Sequence, residues 1–322
     1  MIIITGAAGF IGSALVWGFN KRGFDDIIVI DTLEQDERWR NLVKLRFKDF
    51  VHRDVFIEFL ESGLFDDIEG IIHMGACTDT TERDADFLIG NNYEYTKQLA
   101  IWCIENNKRF VYASSGATYG EGKFGFSDDH SLLLDFEPLN MYGYSKHLFD
   151  IWAYKQGFLE QIAGLKYFNV FGPNEYHKNA MRSVVHKAFE QIRANGKVGL
   201  FKSYNPDFEH GEQKRDFIYV KDVVDMTIFI YEHGDINGIF NIGTGIARSF
   251  NDLVLAAFTA MNLEPEVEFI EMPVEIRKNY QYFTQADIRK LKKLDYNFEI
   301  RTLENAIKDY MQNYLLTEDC YL

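Results

Sequence analysis

Tyr142 and Lys146 stand four residues apart in Tyr142-Gly143-Tyr144-Ser145-Lys146. On a helix, positions i and i+4 share a face. A lysine ammonium one turn from a tyrosine favours the phenolate, so the Tyr142 pKa is expected to fall from ~10 toward working pH. A tyrosine so tuned can exchange a proton with a substrate hydroxyl. Upstream, Ser114 and Ser115 close a strand-like run in Ala113-Ser114-Ser115-Gly116-Ala117-Thr118-Tyr119-Gly120. A serine at that strand end can hydrogen-bond the same hydroxyl.

A second constellation lies at the start of the chain. Gly6-Ala7-Ala8-Gly9-Phe10-Ile11-Gly12 follows the apolar run Ile2–Thr5 and opens a helical pattern. Gly6, Gly9 and Gly12 let the backbone turn sharply and approach a pyrophosphate, while the helix N-terminus offers unpaired N–H groups. Asp31 ends the next apolar run, where an acid can bond an adenosine ribose. Strand, glycine turn, helix and acid in that order point to a dinucleotide. With Tyr142, the chemistry is a proton exchange at a hydroxyl coupled to hydride exchange with a nicotinamide. The Asp31 carboxylate argues for NAD because it repels a 2′-phosphate. Arg38, Arg40 and Arg53 follow it, and a guanidinium forks onto a phosphate. These residues alone leave NAD and NADP open.

Positioning these groups requires alternating elements. Ile2–Thr5, Ile27–Asp31, Gly70–His73, Phe110–Ser114 and Ile162–Phe168 have the pattern of buried strands. Ile11–Arg22, Asp54–Leu60, Tyr93–Asn106 and Tyr142–Phe158 have helical patterns between them. The expected fold is α/β, a doubly wound parallel sheet of the Rossmann type, with a smaller and mostly α substrate domain. After about residue 170 the order weakens, with polar loop-like stretches at Asn174–Ala180 and Ser203–Arg215. Strands near Arg215–Val220 and Gly238–Gly243 are expected to bring the chain back to the sheet. Residues 1–170, with returning segments near 215–245, would form the dinucleotide domain. Residues 171–214 and 246–322 would form the substrate domain.

Composition narrows the partners. The 322 residues carry 34 Lys and Arg against 49 Asp and Glu, a formal net charge of −15. That charge repels phosphate polyanions, so neither nucleic acid nor an anionic membrane is an expected partner. Cys77, Cys103 and Cys320 include no Cys-x-x-Cys, and no histidine cluster has metal spacing, so neither a disulfide framework nor a metal site is expected. Met1 leads at once into a strand and a glycine turn, so no signal peptide is expected. No uncharged apolar run reaches the ~18 residues of a membrane span. A soluble, cytoplasmic protein is the expectation.

Together these pieces resemble the extended short-chain dehydrogenase/reductase family over nearly the whole chain. Asn91-Asn92, Phe168-Asn169-Val170-Phe171-Gly172-Pro173, Arg215-Asp216-Phe217-Ile218-Tyr219-Val220-Lys221-Asp222-Val223 and Phe240-Asn241-Ile242-Gly243-Thr244-Gly245 add to the likeness. The resemblance implies a nucleotide-activated sugar as substrate. Dehydratases of the family carry acids after the second serine, whereas Gly116-Ala117-Thr118 has none. The branch the chain looks most like inverts C6 of an ADP-activated heptose. Its carriers are Gly75-Ala76-Cys77-Thr78-Asp79-Thr80-Thr81-Glu82, Gly172-Pro173-Asn174-Glu175-Tyr176-His177-Lys178 and Tyr280-Gln281-Tyr282-Phe283-Thr284-Gln285-Ala286-Asp287. A UDP-sugar 4-epimerase using Tyr142 alone, or a nucleotide-sugar 4-keto reductase, is the alternative. A non-catalytic dinucleotide sensor is disfavoured by the intact Ser115, Tyr142 and Lys146.

The resemblance also implies roles. Tyr142 and Lys178 would be the two acid/base groups, Lys146 would orient Tyr142, and Ser115 would hold the C6 oxygen. Cofactor contacts would fall on Gly6, Gly9, Phe10, Ile11, Gly12, Asp31, Thr32, Arg38, Arg53, Met74, Gly75, Ala76, Cys77, Thr78, Asn91, Lys146, Val170 and Lys178. Arg38 and Arg53 keep the positive charge that the family commonly supplies with lysine, which tips the cofactor to NADP. Substrate contacts would fall on Ser115, Asn169, Ala180, Lys187, Phe201, Lys202, Ser203, Tyr204, Arg215 and Tyr280, with Arg215 on the diphosphate. Ala180 stands where serine is frequent, and Met74 where glutamate is. Lys187 stands where the family has histidine, with His186 one position earlier. The family also implies a homo-oligomer, commonly a pentamer.

Overall fold

The structure, a computed structural model, describes residues 1–65, 67–277, 280–294 and 299–322. Its strands are β1 (Ile2–Thr5), β2 (Ile27–Asp31), β3 (Asp49–His52), β4 (Gly70–His73), β5 (Arg109–Ser115), β6 (Ala163–Tyr167), β7 (Asn169–Phe171), β8 (Val198–Phe201), β9 (Lys214–Tyr219), β10 (Gly238–Ile242), β11 (Ala247–Ser249) and β12 (Val267–Ile270). Its α-helices are α1 (Phe10–Lys21), α2 (Arg53–Glu61), α3 (Ala85–Leu88), α4 (Tyr95–Glu105), α5 (Met141–Lys155), α6 (Val184–Asn195), α7 (Val220–Glu232), α8 (Phe250–Ala260), α9 (Val274–Arg277) and α10 (Leu303–Tyr310).

Seven parallel strands form the main sheet in the order β10-β6-β5-β4-β1-β2-β3. The order reverses beside β1, which pairs β2 on one side and β4 on the other. Ligands of such sheets bind at the carboxyl ends of the strands at this reversal. Every residue of β1, β2, β4, β6 and β10 is buried, which is why these strands read as continuous apolar runs in the sequence. β3 escaped that reading. It is an edge strand whose only buried residue is Val51, so Asp49 and His52 break any apolar run.

The glycine turn is held from below and behind. Gly6 has φ +64, a left-handed conformation that glycine adopts without strain. A Cβ on Gly12 would lie 2.1 Å from the Gly6 carbonyl oxygen, so α1 starts closer to the turn than a side chain permits. Gly18 allows the same helix to pack on α7, where a Cβ would meet Val224 at 2.3 Å. The helix carrying Tyr142 is started by Asn140, whose side chain accepts from the Gly143 N–H at 2.8 Å.

The returning segments divide. β10 joins the main sheet beside β6, as expected from Gly238–Gly243. β9 does not join it, although a strand does form at Lys214–Tyr219. It pairs in parallel with β7 and antiparallel with β11 in a separate three-stranded sheet. The chain leaves the main sheet at Phe168, whose N–H bonds the Ile242 carbonyl, and Asn169–Phe171 then offers β9 a new edge. β8 and β12 form a third, two-stranded sheet.

Candidate active site

A cleft of about 960 Å³ opens over the ends of β1, β4 and β5. Its walls include Gly6, Gly9, Phe10, Ile11 and Gly12 from the turn, and Asp31, Thr32, Arg38 and Arg53 from the β2 and β3 ends. Met74, Gly75, Ala76, Cys77, Thr78 and Asn91 line the β4 side. Ser115, Tyr142, Lys146, Val170 and Lys178 complete it. All the catalytic and cofactor positions expected from the sequence therefore share one cavity.

Asp31 fixes the turn to the sheet. One oxygen accepts from the Ala8 N–H at 2.7 Å and the other from the Thr32 N–H at 2.8 Å. Burial pushes its carboxyl up, while the two backbone bonds and Arg38 pull it back. Arg38 itself is forked on Asp36, at 2.7–3.0 Å, with Glu34 at 3.2 Å and Asp31 at 4.0 Å. Arg53 has a different setting. Its guanidinium lies 4.6 Å over the Tyr95 ring, on the cleft wall.

The β4 end is clamped by Asn92. Its side chain takes the Cys77 N–H and gives to the Cys77 carbonyl, both at 2.9 Å, and reaches Ser145 on α5 at 3.0 Å. His73 bonds Thr5 at 2.6 Å and Thr96 at 2.9 Å, and its complete burial keeps the ring neutral. Asn92 and His73 were not read from the sequence as site-forming residues. Asn41 was missed as well. It bonds the Ala8 carbonyl at 2.8 Å and the Asn174 carbonyl at 3.1 Å, tying the turn to the segment that bears Lys178. No local pattern marks Asn41, because its partners lie far away in the chain.

At the reacting end, Ser115 and Tyr142 line the cleft together, and the Ser115 hydroxyl accepts from the Ala117 N–H at 3.1 Å. The Tyr142 pKa is raised, not lowered as the Tyr-x-x-x-Lys spacing suggested. Desolvation opposes the phenolate more strongly than the neighbouring Ser115 favours it. The lysine is affected by the same dry surroundings: burial brings Lys146 down to about 8, with Asp150 opposing the fall. Lys178 is also lowered by burial, with Glu175 opposing, and its Nζ sits 5.7 Å over the Phe10 ring.

Asn169, Ala180, Lys187, Phe201, Lys202, Ser203, Tyr204, Arg215 and Tyr280 do not line this cleft. Ala180 is exposed in a turn after Lys178, and Lys187 lies on α6. Asn169 on β7 accepts from Thr284 at 3.3 Å. Arg215, Tyr280 and Tyr204 belong to a second cluster. The buried Arg215 guanidinium lies 5.2 Å over Tyr280 and bonds the Gln281 carbonyl. Tyr282 packs on Tyr280 at 5.2 Å and accepts from the Tyr204 N–H at 3.3 Å. Nearby, Lys202 pairs with Glu271 at 2.7 Å, and Gln213 bonds the Phe201 carbonyl at 3.3 Å. The Gln281 side chain reaches the Gly120 carbonyl, linking this cluster to the loop after Ser115.

Two observations fit a nicotinamide dinucleotide. A Cβ on Gly6 would sit 2.5 Å from the Gly75 N, so the β1 and β4 ends form a floor that glycine alone leaves open. The Lys146 ammonium is buried on the cleft without a hydrogen-bond partner among the described residues, a donor directed at a ligand.

A seven-stranded parallel sheet with a glycine turn, Ser115, Tyr142 and Lys146 on one cleft defines the nicotinamide-dependent class of enzyme. The chain belongs to the NAD dependent epimerase/dehydratase family, whose model matches residues 2–243. It is similar to an ADP-L-glycero-D-manno-heptose-6-epimerase of Nitratidesulfovibrio vulgaris, 51% identical with both chains fully covered. A protein of the same name from Fusobacterium nucleatum is 50% identical, again over 100% of each chain. The crystal structure of the Helicobacter pylori enzyme of that name superposes with a TM-score of 0.81 at 26% identity, covering 97% of this chain and 95% of that one.

Proposed function

We propose that the protein inverts C6 of the heptose in ADP-D-glycero-β-D-manno-heptose, giving the L-glycero epimer, a precursor of lipopolysaccharide core. The observation that supports this reading is that two separate titratable side chains, Tyr142 and Lys178, line one cleft. Inversion through a 6-keto sugar requires a proton to leave the C6 oxygen and a proton to return while the carbonyl is presented in two orientations. Two groups serve two orientations better than one. Similarity to heptose epimerases over full length supports the same substrate.

A nicotinamide held in the cleft would supply hydride acceptance from C6 and its return, with no net redox. Tyr142 exchanges the proton at the C6 oxygen in one orientation, with Ser115 holding that oxygen. Lys178 exchanges it in the other. Burial lowers the Lys178 pKa, which favours that exchange. Lys146 would hold the nicotinamide ribose, and it orients Tyr142. Gly6, Gly9 and Gly12 would hold the pyrophosphate, and Asp31 the adenosine ribose. We assign NADP over NAD on Arg53, which stacks on Tyr95 at the cleft wall and forms none of the ion pairs that occupy Arg38. Arg215, with Tyr280, is assigned to the substrate diphosphate. The roles of Asn169, Ala180, Lys187, Phe201, Lys202, Ser203 and Tyr204 as further sugar and base contacts are part of the same proposal. So are a cytoplasmic location and a homo-oligomer, a pentamer by family resemblance. Among the described residues no helix is long and apolar enough to cross a membrane.

The test is product chromatography. The purified protein should convert the D-glycero substrate to its L-glycero epimer without consuming added NADPH. Turnover of UDP-galactose with no action on the ADP-heptose would replace this reading by a 4-epimerase.

A further inference from the structure

Lys178 sits just before Asn179, on a segment that has little regular structure of its own. Gly172 to Glu175 form a loop, and a short 3₁₀ turn spans Tyr176–Met181. Asn174 and Asn179 both have left-handed backbones, φ +77 and +47. Such a segment holds a side chain in place only if other parts of the fold fix it.

The anchors on its inner side come from Glu175. Its buried carboxylate takes the Ser183 N–H at 2.5 Å, the Ser183 hydroxyl at 2.7 Å and the Gly172 N–H at 3.3 Å. The outer anchors come from residues 319–322, which belong to no helix or strand. The fully buried Asn174 gives its side-chain N–H to Ser13 on α1 at 2.9 Å and accepts the Leu322 N–H at 3.0 Å. The Tyr176 hydroxyl donates to the Cys320 carbonyl at 2.5 Å, and its ring meets Tyr321 edge-on at 5.1 Å. Lys44 pairs with Asp319 and donates to the Tyr321 carbonyl at 3.1 Å, while Leu322 is buried. Asparagine suits position 174 for a physical reason. It tolerates the left-handed backbone and offers a side-chain amide N–H to Ser13 and a carbonyl oxygen to Leu322, which glycine lacks.

We propose that residues 319–322 are a positioning strap for Lys178, holding its segment in register with the glycine-turn helix through Asn174 and Tyr176. The strap touches neither the cleft nor the reacting atoms. It acts by fixing where Lys178 sits. This inference rests on the reading of Lys178 as an acid/base group. A misplacement of ~1 Å in such a group costs on the order of 100-fold in rate.

Leu322→Pro removes the N–H that Asn174 accepts. Tyr176→Phe removes the donor to Cys320 and keeps the ring. Both variants, with wild type and Lys178→Met, are compared as full-length protein for kcat, KM and amide hydrogen exchange. The strap predicts kcat down about 10–100-fold and KM within about three-fold. It also predicts faster exchange over residues 174–181 and unchanged exchange in β1 and β4. Wild-type kcat in both strap variants beside an inactive Lys178→Met overturns the strap alone. Exchange accelerated equally in β1 and β4 also overturns it, because the segment would then be merely structural. Full activity in Lys178→Met overturns the underlying reading, and the strap with it.

Discussion

Asp150 and Lys166 meet at 3.0 Å with both side chains fully buried, one helical turn beyond Lys146. Asp150 also accepts from Ser114 at 2.7 Å and Tyr112 at 2.9 Å, and Lys166 donates to Thr118 at 2.5 Å. The pair thus joins β5, β6 and α5 directly beneath Ser115, Tyr142 and Lys146. A buried pair hydrogen-bonded on both sides is costly to break, because the survivor is left as an unpaired charge. Lys166→Met should therefore lower the unfolding free energy by about 3–5 kcal/mol, read from chemical denaturation.

Lys146 carries a pH signature. Its folded pKa of about 8 lies below the ordinary lysine value of 10.5. Between these values the unfolded chain binds more protons than the folded one, so this group makes stability rise with pH from about 8 to 10.5. Below pH 8 its burial as a cation opposes folding. Lys146→Met, freed of cofactor, should be more stable than wild type by about 1–3 kcal/mol at pH 7 and should lose that rise. Urea unfolding as a function of pH measures both.

The glycine turn admits no side chain at Gly12. Gly12→Ala would press a Cβ against the Gly6 carbonyl oxygen, which is backbone and cannot swing aside. The variant should lose at least about 1–3 kcal/mol of stability and fail to retain nicotinamide cofactor through purification. Absorbance of the purified protein and thermal unfolding report the two effects.

Arg53 should discriminate the cofactors. Arg53→Ala is expected to weaken NADP binding by about 10-fold or more, and to change NAD binding far less, since one charge-assisted contact to the 2′-phosphate is lost. Titration of cofactor-stripped protein by fluorescence measures the two affinities. Equal losses for both would favour NAD as the resident cofactor.

Tyr142→Phe and Lys178→Met should each reduce epimerisation by about 10²–10⁴-fold while cofactor remains bound. Assay of product alongside cofactor content separates loss of proton exchange from loss of binding.

The parts of the fold legible in the sequence were those set by local pattern. Ile2–Thr5, Gly6–Gly12 and Asp31 lie within one strand-turn-helix-strand unit, and Tyr142 and Lys146 within one helix. β3 was illegible because an edge strand with one buried residue carries no apolar run. β9 was visible as a strand, but its sheet was not, since that depends on the edge offered by β7. The Tyr142 pKa was misjudged from spacing because desolvation acts on the tyrosine and the lysine together. Asn41, Asn92 and Asn174 act through partners far along the chain, as Asn174 does with Ser13 and Leu322. No local motif records such contacts.

The most direct test of C6 inversion by internal redox uses substrate deuterated at C6, in ordinary water. The account predicts the L-glycero product with deuterium retained at C6, because the same hydride leaves and returns. Deuterium lost to solvent, or product with C6 unchanged, would contradict it.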